Sequence, residues 1–154
     1  MVAGFLSSGK TTLIKRYIEN NNKNYKVIQC EMGIEKLENS TRVYTIEELV
    51  REISNSFEDH IYVEYNGTWS VTVFLTLIQS SIETRIFTVY VMDLCKIYTY
   101  MKNFPAMILE QLNYVDEIVT INRGNPQEFK YVKQTISQIR PWISYRELEK
   151  SKLR

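Results

Sequence analysis

One short segment, Gly-Phe-Leu-Ser-Ser-Gly-Lys-Thr, combines three features. Its backbone is flexible at Gly4 and Gly9, Lys10 adds a positive charge, and Thr11 adds a hydroxyl group. Consecutive N–H groups in such a segment can curl around phosphate oxygens, and the dipole of a following helix adds positive potential. The lysine can neutralise charge on the β- and γ-phosphates, while the threonine hydroxyl suits Mg²⁺. This segment, called the phosphate loop below (residues 4–11), predicts a site for a nucleoside triphosphate and Mg²⁺.

The neighbours of the phosphate loop support this prediction. A short apolar strand start precedes it, and apolar residues at helical spacing follow it over residues 13–18. We expect Thr12 to contact the α-phosphate, and Lys10 to act catalytically by stabilising the charge that builds up during phosphoryl transfer. The residues of this region predicted to bind the nucleotide are Gly4, Ser7, Ser8, Gly9, Lys10, Thr11 and Thr12.

Strand and helix patterns alternate along the rest of the chain. Short apolar runs flanked by polar residues predict buried strands over residues 27–30, 61–63, 86–92 and 118–121. Helical patterns predict helices over residues 11–18, 71–79, 105–113 and 126–139, and another after the capping box that begins at Thr45. This alternation predicts the three-layer α/β fold of P-loop nucleoside triphosphatases, with a mainly parallel sheet flanked by helices.

The glycines are concentrated where ligands bind in such sheets. The five glycines lie in or just after the loops that follow predicted strands, at Gly4, Gly9, Gly33, Gly67 and Gly124. Open α/β sheets bind ligands at the carboxyl-terminal edge of their strands, and glycine lets a backbone approach a ligand closely. We therefore expect these loops to share one site; ordinary turn formation is the alternative for each loop taken singly.

Beyond the phosphate loop, the sequence resembles the CobW-like members of the CobW/HypB/UreG group of GTPases. Residues 4–13 are similar to that family's phosphate loop, Gly-Phe-Leu-x-x-Gly-Lys-Thr-Thr-Leu. Residues 30–33, Cys-Glu-Met-Gly, resemble its Asn-Glu-Phe-Gly switch segment, and residues 64–67, Glu-Tyr-Asn-Gly, resemble its Glu-x-x-Gly motif. The resemblance continues through residues 91–93 and 121–123, so it covers most of the chain.

The resemblance implies roles for several carboxylates and glycines. Glu64 would lie beside the γ-phosphate as a catalytic residue and would hold Mg²⁺ together with Thr11; the alternative is a solvated carboxylate at a strand end. The residues expected to switch with nucleotide state are Glu31, Gly33, Gly67 and Asp93. Alternatively, Glu31 and Gly33 belong to a surface loop that plays no part in the nucleotide cycle, and Asp93 is only a spacer.

Two departures from the family pattern change what the resemblance implies. GTPases of this kind recognise guanine with Asn-Lys-x-Asp, whereas this chain has Asn122, Arg123, Gly124 and Asn125. We expect Asn122, Arg123 and Asn125 to bind the base, and guanine binding to be weakened because an amide replaces the carboxylate that accepts two guanine N–H groups. The chain also lacks the family's Cys-x-Cys-Cys segment before Glu64, so no transition-metal site is predicted.

Composition argues against several other classes of protein. The chain has 19 basic and 18 acidic side chains, so its charge indicates no nucleic-acid partner. No apolar run approaches the roughly 18 residues of a membrane span. Cys30 and Cys95 form no disulfide or zinc pattern, and we expect a cytoplasmic protein with no membrane partner.

We expect one nucleotide-binding domain over residues 1–140 and a charged tail, forming a loose helix, over residues 141–154.

The combined prediction is Mg²⁺-dependent binding and slow hydrolysis of a nucleoside triphosphate, with GTP as ligand and substrate. Slow turnover is expected because residues 4–11 contain neither a general base nor an arginine finger. The resemblance implies a role in metal-cofactor handling or metalloprotein maturation, with a client metalloprotein and a homodimer as partners. Two alternatives remain open, namely a nucleotide-sensing interaction module that barely hydrolyses and a degenerate remnant.

Overall fold

A computed structural model of the chain describes residues 1–21, 24–31 and 37–148. Within these residues the strands are β1 (Val2–Ala3), β2 (Tyr25–Gln29), β3 (Ser40–Arg42), β4 (His60–Glu64), β5 (Val89–Asp93), β6 (Glu117–Ile121) and β7 (Ser144–Glu147). The helices are α1 (Lys10–Glu19), α2 (Ile46–Ser54), α3 (Val71–Ser81), α4 (Ile97–Asn103), α5 (Pro105–Leu112) and α6 (Pro126–Ile139). None of the helices in this described part has both the length and the apolar character that a membrane crossing requires.

The described strands form one seven-stranded sheet in the order β3-β2-β4-β1-β5-β6-β7. Neighbouring strands run parallel, so the chain must cross a face of the sheet between one strand and the next. Alternate residues of β5 show the two faces: Val89 and Val91 pack with α1, whereas Tyr90 and Met92 pack with α4, α5 and α6. Three layers result, and the predicted α/β fold with a parallel sheet is confirmed.

Helix α1 begins directly at the phosphate loop. Gly9 precedes it with a φ of 89°, a left-handed conformation that favours glycine. No side chain caps this end of the helix, so the N–H groups of its first turn have no intrahelical acceptor and remain directed toward the loop. Leu13 and Ile14 anchor the helix in the core. The positive end of the helix dipole is therefore fixed beside the phosphate loop.

The start of α2 follows the predicted capping box with one change. Thr45 is the N-cap, and its Oγ1 accepts a hydrogen bond from the N–H of Glu48 at 3.1 Å. The Glu48 carboxylate accepts from the N–H of Tyr44 at 2.7 Å, one residue before the N-cap. The two contacts together fix where the helix begins. Leu49 and Val50 then bury the helix against the core shared with α3.

The chain after Pro141 differs from its sequence prediction. Residues 144–147 form β7, which pairs with β6 at the edge of the sheet, so the expected loose helix is wrong for these residues; residues 149–154 lie outside the described part of the chain. The guanidinium of Arg146 donates to both carboxylate oxygens of Glu117, at 2.8 and 2.9 Å, and to the Tyr17 hydroxyl at 2.9 Å. A bidentate pair of this kind holds in place a polar edge strand that has little apolar surface to bury.

Other boundaries also differ from the predictions. Strand β5 begins at Val89 rather than at residue 86. The sequence patterns predict neither β3 nor α4, although both are present. Strand β3 reads Ser-Thr-Arg and has no buried residue, so it carries no apolar signal. The chain thus contains polar edge strands that hydrophobic periodicity cannot reveal.

A groove with a volume of about 820 Å³ opens at the amino-terminal edge of the sheet, opposite the phosphate loop. It lies where β1 is short: within the described residues β1 pairs with β4 at Glu64 alone, and residues 60–63 have no β1 neighbour. Ile61, Phe74 and Ile78 contribute to its apolar lining. None of the residues predicted to bind a nucleotide lines this groove.

Glu110 of α5 holds the first turn of α3, the helix that follows the Gly67 turn. Its Oε1 accepts hydrogen bonds from the Ser70 hydroxyl at 2.8 Å and from the N–H and hydroxyl of Thr72 at 2.9 and 2.8 Å. Partial burial alone would raise the pKa of Glu110, but these hydrogen bonds outweigh burial and lower the pKa below its ordinary value of 4.5. A carboxylate at a helix N-terminus also complements the helix dipole.

We predict that the stabilising effect of Glu110 depends on its charge. Because its pKa is lower in the folded chain, its contribution is complete above about pH 4.5 and is lost as the pH falls through the folded pKa. Glu110→Gln should reduce the free energy of unfolding by about 0.5–1 kcal/mol at pH 7. The difference from the wild type should shrink toward zero in urea unfolding at pH 3.5. Glu83→Gln, at an exposed position after α3, is the control, and a pH-independent difference would contradict this account.

Candidate functional site

The phosphate loop is curled, with a left-handed backbone at several positions. Gly4, Ser7 and Gly9 have φ values of 134°, 56° and 89°. The N–H of Ser8 donates to the carbonyl of Phe5 at 3.2 Å, which closes a turn inside the loop. Positive φ is uncommon outside glycine and here bends the chain so that successive N–H groups can face a common centre. The predicted curl between β1 and α1 is therefore present.

Gly4 must be a glycine because the sheet comes too close for a side chain. A Cβ atom there would lie 2.6 Å from the carbonyl oxygen of Val91 and 2.8 Å from Ser8 Oγ. The backbone of β5 cannot yield easily, so the first residue of the loop lies directly on the central strands. Ser8 Oγ is buried and has no hydrogen-bond partner among the described residues. A buried hydroxyl without a partner suits a site that takes a further polar group.

The ammonium group of Lys10 is buried at the centre of the loop. Lys10 is 2% exposed, and its Nζ donates to the carbonyls of Gly4 and Phe5 at 3.0 and 2.9 Å. Its third partner is a carboxylate oxygen of Glu31, at 2.9 Å. An ammonium has three N–H donors, so these acceptors can satisfy it fully. The loop backbone is thereby drawn around the cation.

Glu31 connects the phosphate loop to the turn after β4. One carboxylate oxygen pairs with Lys10, while the other accepts a long hydrogen bond, 3.5 Å, from the N–H of Gly67. The structure therefore brings together Lys10 with two of the residues predicted to switch. Gly33, a further predicted switch residue, lies outside the described residues.

Glu64 lies at the carboxyl-terminal end of β4 and is 3% exposed. Its Oε1 accepts a hydrogen bond from the Thr11 hydroxyl at 2.5 Å, and its Oε2 accepts from Gln29 Nε2 at 2.6 Å. Gln29 Oε1 in turn accepts from the Ser40 hydroxyl at 2.8 Å and from the N–H of Leu37 at 3.0 Å. The carboxylate is therefore fixed in position by partners that are themselves held.

The Thr11 and Glu64 pair suits a magnesium ion. A hydroxyl oxygen and a carboxylate oxygen are hard ligands of the type that Mg²⁺ binds, and it usually takes few from the protein and more from water and phosphate. Thr11 Oγ1 and Glu64 Oε1 lie 2.5 Å apart, so one ion could contact both oxygens if they moved slightly apart. The donor set therefore fits the ion that the sequence predicts at this place.

Sequence reasoning missed two glutamines that position the site. Gln29 is 1% exposed and holds Glu64; Gln111 is also 1% exposed, and its Nε2 donates to the carbonyl of Gly67 at 2.8 Å. A signal for the second existed, because Gln111 lies on the buried face of α5 together with Ile108 and Leu112. A polar residue on a buried helical face needs a partner, and the partner here is the turn after β4.

Gly67 lies in contact with the phosphate loop. A Cβ atom at this position would be 2.5 Å from the carbonyl oxygen of Gly4 and 3.2 Å from the Cα atom of Phe5. No side chain fits without moving one of the two backbones. The turn after β4 and the beginning of the phosphate loop can therefore meet only because this residue is glycine.

Cys30 joins the segment after β2 to the end of β4. Its N–H donates to the carbonyl of Glu64 at 2.9 Å, and its carbonyl accepts from Asn66 Nδ2 at 3.2 Å. Burial, and then the charge of Glu64, raise the pKa of the Cys30 thiol well above its ordinary value, so the thiol stays neutral. Within the described residues, no three His, Cys, Asp or Glu side chains are grouped closely enough to hold a metal ion.

The residues predicted to bind the base lie after β6. Asn122 has a left-handed backbone with a φ of 61°, and Arg123 is exposed. Asn125 is the N-cap of α6, where its Oδ1 accepts from the N–H of Gln127 at 2.9 Å. Its carbonyl oxygen therefore already has one hydrogen bond. A Cβ atom at Gly124 would lie 2.0 Å from the Leu94 carbonyl oxygen, so this loop packs tightly on the segment after β5.

Asp93 ends β5 beside the same loop. Its Oδ1 accepts from the N–H of Cys95 at 3.0 Å, and its Oδ2 lies 3.7 Å from the ammonium of Lys96. The Cys95 Sγ donates to the carbonyl of Arg123 at 3.4 Å. These contacts fold the segment after β5 against the predicted base-binding loop. They place Asp93 at the carboxyl-terminal edge of the sheet, and its role as a switch residue stays a prediction.

Comparison with known proteins gives one family model and two solved structures. The model of the CobW/HypB/UreG nucleotide-binding domain matches residues 1–55, which contain the phosphate loop and Glu31. No curated protein sequence matches the chain closely enough to count as a relative.

The solved structures support the fold. A zinc-bound triple mutant of the YjiA GTPase is 17% identical with a TM-score of 0.67, and the match covers 97% of this chain and 56% of that one. The hydrogenase maturation factor HypB from Archaeoglobus fulgidus is 18% identical with a TM-score of 0.58, covering 97% of this chain and 80% of that one. This chain thus corresponds to little more than half of the YjiA chain.

Proposed function

We propose that the chain is a member of the CobW/HypB/UreG family, whose nucleotide-binding-domain model matches residues 1–55, and that it binds a nucleoside triphosphate, preferably GTP, with Mg²⁺ and hydrolyses it slowly. The observation that carries this proposal is the curled phosphate loop around the buried ammonium of Lys10, with the Thr11 and Glu64 oxygens beside it. A buried cation needs anionic or polar acceptors, and a polyphosphate is a ligand whose charge and oxygen atoms can replace the protein acceptors of Lys10.

Binding of the polyphosphate would use the backbone first. The N–H groups of residues 7 and 9–11, at the uncapped start of α1, supply donors and positive potential. Lys10 would transfer its hydrogen bonds from protein acceptors to the β- and γ-phosphate oxygens. The ammonium then stabilises the charge that develops on the bridging oxygen when the γ-phosphoryl group leaves.

Thr11 and Glu64 would hold Mg²⁺, which would neutralise phosphate charge when bound. Neighbouring residues hold the Glu64 carboxylate in position. Gln29 donates to Glu64 Oε2, leaving Oε1 directed at Thr11. Because Gln29 is itself fixed by Ser40, the carboxylate cannot rotate away without breaking a chain of buried hydrogen bonds.

We predict that Lys10→Ala removes most of the affinity for triphosphates. The loss of a charge-assisted contact to phosphate should weaken binding of GTP by about a hundredfold or more. Isothermal titration with GTP and Mg²⁺ measures the effect, and Lys130→Ala, which removes an exposed lysine from α6, is the matched control. Equal affinity of wild type and Lys10→Ala would contradict the proposed site.

Slow hydrolysis follows from what the loop lacks. Residues 4–11 contain no arginine and no carboxylate, so further charge stabilisation would have to come from outside the loop. We propose a homodimer as the source. Single-turnover hydrolysis of GTP should therefore accelerate as the chain concentration is raised into the range where dimers form. Fast hydrolysis that is independent of concentration would contradict this proposal.

The base preference depends on Asn125. An amide there offers one acceptor oxygen, which already caps α6, so it cannot accept both guanine N–H groups as a carboxylate does. Arg123 is exposed and free to lay its planar group along the base. We propose that guanine is bound, but with weakened discrimination against related bases.

We predict that Asn125→Asp increases the preference for GTP over XTP about tenfold, because a carboxylate gains a charge-assisted hydrogen bond with the guanine amino group. Xanthine has a carbonyl oxygen there, which a carboxylate repels. The fold should be retained, since aspartate caps helices as well as asparagine. Competition binding measures the ratio, with Gln127→Glu, an exposed change of equal charge, as the control. An unchanged ratio would show that residue 125 does not contact the base.

The cellular role that we propose is metal-cofactor handling, in which the nucleotide state controls transfer to a client metalloprotein. The family match and the similarity to a hydrogenase maturation factor support it. The metal content of metalloenzymes in cells that lack the chain tests this role: complementation by the wild type but not by Lys10→Ala would support it, and unchanged metal loading would contradict it.

A further inference from the structure

The carboxylate of Glu31 occupies a position between donors that a phosphate group would also use. It pairs with the Lys10 ammonium at 2.9 Å, and its second oxygen accepts from the N–H of Gly67 at 3.5 Å. Lys10 is predicted to contact the γ-phosphate, and Gly67 is predicted to switch with nucleotide state. Phosphate and carboxylate are both recognised by charged and backbone N–H donors, so a carboxylate can act as an intramolecular substitute for one phosphoryl group.

The contact is largely shielded from water, which makes it energetically significant. The Lys10 side chain is 1% exposed and that of Glu31 is 12% exposed. Lys10 also donates to the carbonyls of Gly4 and Phe5, so no N–H of the ammonium is left for a further acceptor. A phosphate oxygen can reach Lys10 only if an existing partner leaves. Glu31 is the partner that would repel the phosphate, because it carries a negative charge.

We propose that Glu31 is a specificity-determining residue that distinguishes nucleoside triphosphates from diphosphates by occupying the place of the γ-phosphate. This inference rests on the proposed function of the same site. A diphosphate can bind through the loop amides and take over the hydrogen bonds that Lys10 makes to the Gly4 and Phe5 carbonyls, while Glu31 stays on Lys10 and Gly67. A triphosphate must displace Glu31, so part of the binding energy of the γ-phosphate is used to break the Lys10–Glu31 pair.

The displacement also gives the site a way to report the γ-phosphate. Glu31 directly precedes residues 32–36, and Gly67 directly follows Asn66, whose side chain donates to the carbonyl of Cys30. Moving Glu31 away from Gly67 removes one of the contacts that join the segment after β2 to the turn after β4. Binding of a diphosphate does not require the contact between Glu31 and Gly67 to break. Glu31 thus links the number of phosphates to the arrangement of these two segments.

The test compares GTP and GDP affinities, with Mg²⁺, in wild type, Glu31→Gln and the control Glu38→Gln. The control removes the same charge from an exposed position in the turn before β3. Glutamine keeps the size of the side chain but competes poorly with phosphate for Lys10. We expect affinity for GTP to rise about tenfold in Glu31→Gln and affinity for GDP to rise less than about threefold, while Glu38→Gln leaves the ratio unchanged.

The outcomes separate this inference from the function on which it rests. If wild type and Glu31→Gln bind both nucleotides with the same GTP-to-GDP ratio, the inference is overturned and the nucleotide site stands. If neither chain binds GTP or GDP, the proposed function fails, and the inference fails with it.

A second variant covers the case in which Glu31→Gln does not fold. Glu31→Asp keeps the charge but shortens the side chain by one methylene, so it should loosen the contact with Lys10 and move the GTP-to-GDP ratio in the same direction by a smaller factor. An unchanged ratio in a folded Glu31→Asp chain would overturn the inference.

Discussion

The buried ammonium of Lys10 is the charge around which the site is arranged. A cation removed from water costs several kcal/mol unless it is paired and hydrogen-bonded. Here the carbonyls of Gly4 and Phe5 fold back over the start of α1, and Glu31 reaches in from the segment after β2. The shape of the phosphate loop and its contact with a predicted switch segment therefore have the same physical cause. A ligand that replaces Glu31 has to satisfy the same charge.

The rest of the fold supports that arrangement through the carboxyl-terminal edge of the parallel sheet. Strand β4 ends with Glu64, which is fixed by Gln29 at the end of β2. The turn after β4 touches the phosphate loop at Gly67 and is held from the other side by Gln111 of α5. Buried polar networks of this kind specify one geometry because each member is costly to leave unpaired. The site is thus preorganised by neighbours that contribute no chemistry themselves.

The sequence predicts the apolar interior well and the polar edges poorly. The phosphate loop, the central strands and the Thr45 cap follow from local rules of backbone freedom, periodicity and capping. Strand β7 escapes those rules because it is polar and is held by the pairing of Arg146 with Glu117, residues far apart in sequence. The contacts of Glu64 with Thr11 and Gln29 are equally non-local. Residue types therefore indicate a phosphate site, while its partners emerge only from the fold.

The most direct measurement of the central claim is the response of individual backbone amides to a triphosphate. With ¹⁵N-labelled chain, GTP and Mg²⁺ should shift the resonances of Ser7, Ser8, Gly9, Lys10 and Thr11 in a saturable way, because their N–H groups would donate to phosphate oxygens or lie next to them. Resonances in the groove at the opposite edge of the sheet should remain in place. If GTP left the loop resonances unmoved, or shifted only those of the groove, the phosphate loop would not be the nucleotide site.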